Sequence, residues 1–152
     1  MTDRQAALDR FRAGSGALDA ALAGITEDEL DRAPNDGGWT ARQVAHHLAD
    51  SEAMAYTRLR RLIADADPVL IQGYDEPRWA SRLHYDRPVE EAIAVVRAVR
   101  AASLSLLESL TPEEWDRHGT HSEGGAYSVD RWLEIYAEHP HEHAEQIRAA
   151  RG

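Results

Sequence analysis

SVDRWLEIYAEHPHEHAEQI, residues 128–147, is the stretch on which the fold turns. Val129, Trp132, Leu133, Tyr136 and Ile147 recur at helical spacing and make one apolar stripe. Tyr136, His139 and His143 form a second line joined to it, and Glu134, Glu138 and Glu142 step by four along what reads as a solvated face. His141 falls between the two lines and reads as exposed. On a helix His139 and His143 share a face, one turn apart, and can grip a single ion. The same letters also fit a polar helix end whose histidines favour the C-terminal dipole. The glutamate-bearing pattern of a zinc-protease helix is missing. Pro140 removes one backbone hydrogen bond and crowds the turn around Tyr136, at roughly 3 kcal/mol. It predicts either a bend that aims His139 or an earlier helix end that separates the pair.

Working back toward the N-terminus, the pattern stays helical. Thr40 followed by Gln43 is a capping-box pattern and opens a helix expected to run to about residue 64, with Val44, Leu48, Met54, Leu59 and Leu62 among its apolar positions. His47 follows Val44 by three and lies near that inward stripe, whereas His46 points about 100° away. Residues 4–23 carry Ala7, Leu8, Phe11, Leu18 and Leu22 at helical spacing, weakened by Gly14 and Gly16. Thr26 before Glu27-Asp28-Glu29 caps a short helix to about residue 32, ahead of the turn at residues 34–38. Residues 65–87 are the least regular, with a short helical turn placed around Trp79. Pro88 suits a helix start, and Val89 to Leu107 carry the pattern to about residue 109. Thr111-Pro112-Glu113-Glu114 repeats the cap-plus-acid device before Trp115, and a polar loop containing Gly119, Gly124 and Gly125 leads to Ser128.

No strand shows convincing alternation, so the expected fold is all-α: four main helices in a bundle, with additional short ones. ITEDELDRAPNDGGWT (25–40) loosely echoes LTPEEWDRHGTHSEGGAYS (110–128), and each leads into a histidine-bearing helix. An approximate two-fold would bring both histidine helices to a common centre. A third imidazole, from His47, would then complete three neutral nitrogens, the usual protein share where a metal keeps open positions for water or substrate. The bland alternative makes His47 a core-edge histidine bonded to a neighbour.

Composition narrows the chemistry. Residues 1–152 have the length of one domain. The net charge of -10 argues against nucleic acid, which needs a basic stripe. No apolar run approaches a membrane span and no signal peptide precedes MTDRQAALDR, so the expected location is the cytoplasm. Cysteine and lysine are both absent, all seventeen basic residues being arginine. That excludes disulfides, thiolate ligands, cysteine nucleophiles, Schiff-base chemistry and a phosphate-loop lysine. Any thiol in the chemistry must arrive with a substrate.

Asp50, Glu52 and Glu145 are candidate acceptors or bases, and Asp50, one turn from His47, is the best of them. The four tryptophans read as core and wall residues. Arg42, Arg58 and Arg78 are possible anion partners that read first as solvated surface residues.

At GGWTARQVAHHLADSEAMAYTRL (37–59) and YAEHPHEHAEQI (136–147) the chain resembles the DinB-like superfamily, closest to its YfiT-like branch of metal-dependent hydrolases and bacillithiol transferases. DEPRWA (75–80) and SLTPEEWDRHGTHSEGG (109–125) fit the same branch. The resemblance implies a four-helix bundle, often a homodimer, with a divalent ion on three histidines. By motif these are the second histidine of HHLAD, His47, and then His139 and His143. Glu138, Pro140 and Glu142 depart from the branch pattern and leave the three ligands standing.

The leading expectation is metal-dependent transfer of a low-molecular-weight thiol to a small electrophile, with zinc, nickel or manganese as the ion and Asp50 assisting proton removal. Substrate choice would fall to residues 65–87 and 116–127. Hydrolysis by a metal-bound water, and a non-catalytic stress or binding protein, are the alternatives.

Overall fold

The caps written in the sequence start most of the helices. The computed structural model describes residues 3–152. Helix α1 (Arg4–Leu22) begins on Asp3, whose side chain accepts from the amides of Gln5 and Ala6. Capping boxes on Thr26, Thr40 and Thr111 open α2 (Glu27–Leu30), α3 (Ala41–Ala64) and, further along, α6 (Pro112–Trp115). Between α3 and α6 lie β1 (Leu70–Ile71), α4 (Glu76–Arg82, capped by Asp75) and α5 (Glu90–Ser109). Strands β2 (His118–His121) and β3 (Gly125–Ser128) then lead to α7 (Val129–Arg151).

The four long helices close a bundle in which α1 packs on α7, α7 on α3, α3 on α5 and α5 on α1. The element order also repeats, with long helix, short capped helix and histidine helix as α1-α2-α3 and again as α5-α6-α7. The expected echo between residues 25–40 and 110–128 is therefore a repeat of architecture.

One expectation is corrected. The loop before Ser128 forms β2 and β3, which join β1 in a small three-stranded sheet, with β1 parallel to β2 (Leu70 beside Thr120) and β2 antiparallel to β3 (Thr120 beside Ala126). Strands of two and four residues give no alternation to read, and the glycines that suggest a loop serve the pairing. A Cβ on Gly119 would lie 2.6 Å from the Val69 carbonyl oxygen, and Gly125 turns the hairpin at φ +74°.

Two apolar clusters fill the bundle. Leu18, Val44, Leu48, Val96 and Ile147 belong to one, and Phe11, Leu59, Leu107, Trp132 and Tyr136 to the other. Every long helix passes from one cluster to the other through a polar or glycine position, namely Gly14, Glu52, Arg100 and His139. The buried polar side chains His47, Ser51, Glu52, Arg100 and Ser103 make up this waist.

Pro140 lies at the waist and does not end α7, since the helix runs on to Arg151. Proline has no N–H to give the carbonyl four residues back. Arg100 supplies the donor instead, its Nη1 reaching the Tyr136 carbonyl oxygen at 3.0 Å. Gly14 makes room for both groups, because a Cβ there would stand 2.5 Å from Pro140 Cγ and 2.6 Å from Arg100 Nη2.

Glycine costs a helix interior about 1 kcal/mol relative to alanine. Gly16 is exposed, and a Cβ there would have nothing within 4 Å. We therefore expect G16A to stabilise the protein by up to about 1 kcal/mol. G14A should destabilise it by about 1–3 kcal/mol, because a rigid buried ring and a guanidinium held by three acceptors yield little. Urea unfolding of the two variants checks the opposite signs.

Candidate metal centre

Helix α3 presents His47 at the waist, and α7 presents His139 and His143 from successive turns of one face. One ligand-type nitrogen from each of the three lies within 4.8 Å of the others. The ring centroid of His47 is 4.8 Å from that of His143 and 6.0 Å from that of His139. Trp39 walls the His47 ring at 4.8 Å. His46 turns away as expected, with Nε2 2.9 Å from the Arg87 carbonyl oxygen and its ring stacked on Tyr85.

Hydrogen bonds decide which nitrogens are free. His143 Nδ1 lies 2.8 Å from Gln146 Oε1, and His139 Nδ1 lies 3.3 Å from Glu52 Oε1. Both oxygens are acceptors, so in this network each Nδ1 is placed to donate and each Nε2 is turned inward. Those two Nε2 atoms are 3.1 Å apart. Two ring nitrogens this close can share one cation. His47 adds a buried Nδ1 with no protein partner. The donor set fits a divalent ion of the kind that favours imidazole nitrogen.

Protonation agrees with this. Burial, then the neighbouring His143 and His139, pushes His47 down to about 3. Burial, then His139, pushes His143 down to about 4 against weaker support from Gln146 and Glu52. Both rings are neutral near pH 7 and need lose no proton before ligating.

Of the three carboxylates singled out in the sequence, Glu52 is the one set against an imidazole. It is also 2.8 Å from Arg100 Nη1, and the two side chains are only 2% and 3% exposed. Asp50 accepts from the Tyr85 hydroxyl at 2.7 Å, and Glu145 pairs with Arg148 at 2.5 Å on the outer face. His141 is half-buried, bonded to the Arg10 carbonyl oxygen at 3.0 Å, where the sequence suggests exposure.

The arginines differ more. Arg78 is exposed, as anticipated. Arg42 is buried in an ion pair with Asp31 at 2.7 Å and with Glu27, because α2 lays both its first residue and its C-cap against it. Arg58 is half-buried and faces a cavity.

That cavity, about 420 Å³, reaches the cluster at His139 and is lined also by Ser51, Arg58, Tyr74, Tyr127 and Tyr136 among others. Ser51 Oγ reaches His139 Nε2 at 3.4 Å from this side. Both irregular stretches, residues 65–87 and 116–127, contribute to its walls. Arg58, Tyr74 and Tyr127 give no signal in sequence as a group, since α3, the β1–α4 connection and β3 bring them together only in the fold.

A four-helix bundle closed around three imidazoles beside a cavity defines a class of helical protein fitted to hold a divalent ion. The chain belongs to the DinB superfamily, whose family model matches residues 10–147, and within it to the YfiT-like branch. Its fold superposes on YfiT from Bacillus subtilis with a TM-score of 0.88 at 26% identity, over 99% of this chain and 87% of that one. YfiT is described as a probable metal-dependent hydrolase with an unusual four-helix bundle topology. A protein of Oceanobacillus iheyensis named a putative metal-dependent hydrolase is 39% identical over 123 residues, 81% of this chain and 71% of that protein. A second from the same organism, also named a putative metal-dependent hydrolase, is 28% identical over 143 residues, 94% and 82% of the respective chains.

Proposed function

We propose that the chain is a metal-dependent hydrolase of a small molecule, its divalent ion held by His47, His139 and His143. The observation that carries this reading is the convergence of three imidazoles, two with Nε2 atoms 3.1 Å apart, beside a cavity of about 420 Å³. The names of YfiT and of the Oceanobacillus proteins support hydrolysis over the thiol transfer expected first. Three nitrogens suit zinc or nickel better than manganese. When bound, such an ion supplies Lewis acidity, acidifying water and polarising a carbonyl or phosphoryl oxygen.

The chain's own residues do the rest. Glu52 and Gln146 hold His139 and His143 in the tautomer that turns Nε2 inward. Trp39 shields His47 from water. Asp50 is the proposed proton acceptor, supported by its place one turn beyond His47 and held in position by the Tyr85 hydroxyl. A single domain, a homodimer, a cytoplasmic location and no nucleic-acid partner complete the proposal. The charge of -10 supports the last, and family resemblance the dimer. Among the described residues no helix is long and apolar enough to cross a membrane.

The deciding experiment incubates metal-loaded protein with a panel of esters, amides and alkyl halides, with and without a low-molecular-weight thiol. Turnover without thiol, lost on chelation, is the expected result. Turnover only with thiol would reassign the centre to thiol transfer. No turnover and no metal uptake would leave a binding protein.

A further inference from the structure

The floor of the cavity beside His139 is built of hydrogen-bond donors. Arg58 has no carboxylate partner among the described residues, unlike most arginines of the chain. Its Nη1 donates to the Tyr136 hydroxyl and its Nη2 to the Gln72 carbonyl oxygen, each at 3.0 Å. That uses two of the five N–H groups of a guanidinium. The Tyr74 and Tyr127 hydroxyls beside it are buried with no well-formed hydrogen bond, Ser51 neighbouring the first and Tyr136 and Arg58 the second. Burial pushes the Tyr74 phenol up to about 12 and raises that of Tyr127 as well, so both stay protonated donors near neutral pH. The carboxylates that share the cavity, Glu76 and Glu123, are exposed at its rim, where water screens them. Arg131, also at the rim, is turned to Glu134 at 3.3 Å.

We propose that this cavity is the substrate chamber of the centre and selects a small molecule bearing a carboxylate, seated on the Arg58 guanidinium with its scissile ester or amide bond toward His139. A half-buried cation with no counter-ion, ringed by O–H donors, is complete only when an anion arrives. One guanidinium carries one charge and matches one planar carboxylate better than a phosphate dianion. The volume suits a small organic acid derivative. Hydrolysis then adds water across the bond, its hydroxyl going to the acyl carbon and its proton to the leaving oxygen or nitrogen. The substrate class rests on the hydrolase reading above, whereas the anion seat is testable apart from it.

Phenylpropanoate and its isosteric primary amide serve as probes, titrated by chemical-shift perturbation against the protein both loaded with zinc and stripped of metal. The acid should bind at least about ten-fold tighter than the amide in both forms, as a charge-assisted hydrogen bond requires. R58Q should erase the preference, and R58K should keep part of it, with circular dichroism and metal content unchanged in both. Equal binding of acid and amide, or binding of neither, would overturn the proposal. So would a preference that appears only in the zinc form and survives R58Q, because the acid would then be on the ion; the metal centre would stand. An Arg58-dependent preference in protein that takes up no metal would keep the anion seat and remove the hydrolase reading.

Discussion

In H143A the divalent ion is expected to be absent from the purified protein, while wild type carries close to one per chain. His143 contributes one of three clustered nitrogens, and Gln146 fixes its tautomer from 2.8 Å away. Its loss leaves His47 and His139, too few donors for a stable site. The fall in affinity should therefore exceed the roughly 10- to 100-fold that removal of an orienting partner costs, which is what we expect for Q146A and E52Q. H141A should bind a full complement, because that ring is spent on the Arg10 carbonyl oxygen. Metal analysis after dialysis, with competition against a chromophoric chelator, measures the series. Full occupancy in H143A at wild-type affinity would show that the ion binds elsewhere.

The largest loss of stability is expected in R100A, about 3–5 kcal/mol by urea unfolding. Arg100 holds three acceptors at the waist, Glu52 Oε1 at 2.8 Å, the Tyr136 carbonyl at 3.0 Å and the Phe11 carbonyl at 2.7 Å. Alanine would strand a carboxylate in the core and leave the Tyr136 oxygen without the donor that Pro140 lacks. Replacing the pair together, as E52L with R100M, should recover much of the loss, since apolar groups of similar volume remove the stranded charge as well as its partner. That double variant should still bind metal weakly, because His139 Nδ1 has lost its acceptor. A loss below about 1 kcal/mol in R100A would contradict this account.

Features governed by neighbours in sequence are legible without the fold. Thr26, Thr40 and Thr111 announce helix starts because a cap and its N3 partner lie three residues apart. His47 separates from His46 because one follows the Val44 stripe and the other does not, and the i,i+4 spacing of His139 and His143 survives in α7. Features that depend on distant partners stay hidden. Pro140 reads as a break because its substitute donor comes from Arg100, on a different helix. Gly14 reads as a weak point because nothing local shows that Pro140 packs there. Arg42 and Arg58 read as surface residues because α2 and the β1–α4 connection cover them only after folding. Glu52 ranks behind Asp50 in sequence, since its contact with His139 spans 87 positions.

His47 and His139 stand 92 positions apart, 139 less 47, in a protein with no cysteine to join its halves. An ion shared between them is a removable clasp that pins the first repeat to the second and closes a loop of that length. Closing a loop of that length in the unfolded chain would cost entropy, so the unfolded chain releases the ion and the folded one holds it. Resistance to unfolding would then track the free concentration of the ion, so the availability of metal to the cell would set how long each copy of the protein survives as well as whether it works.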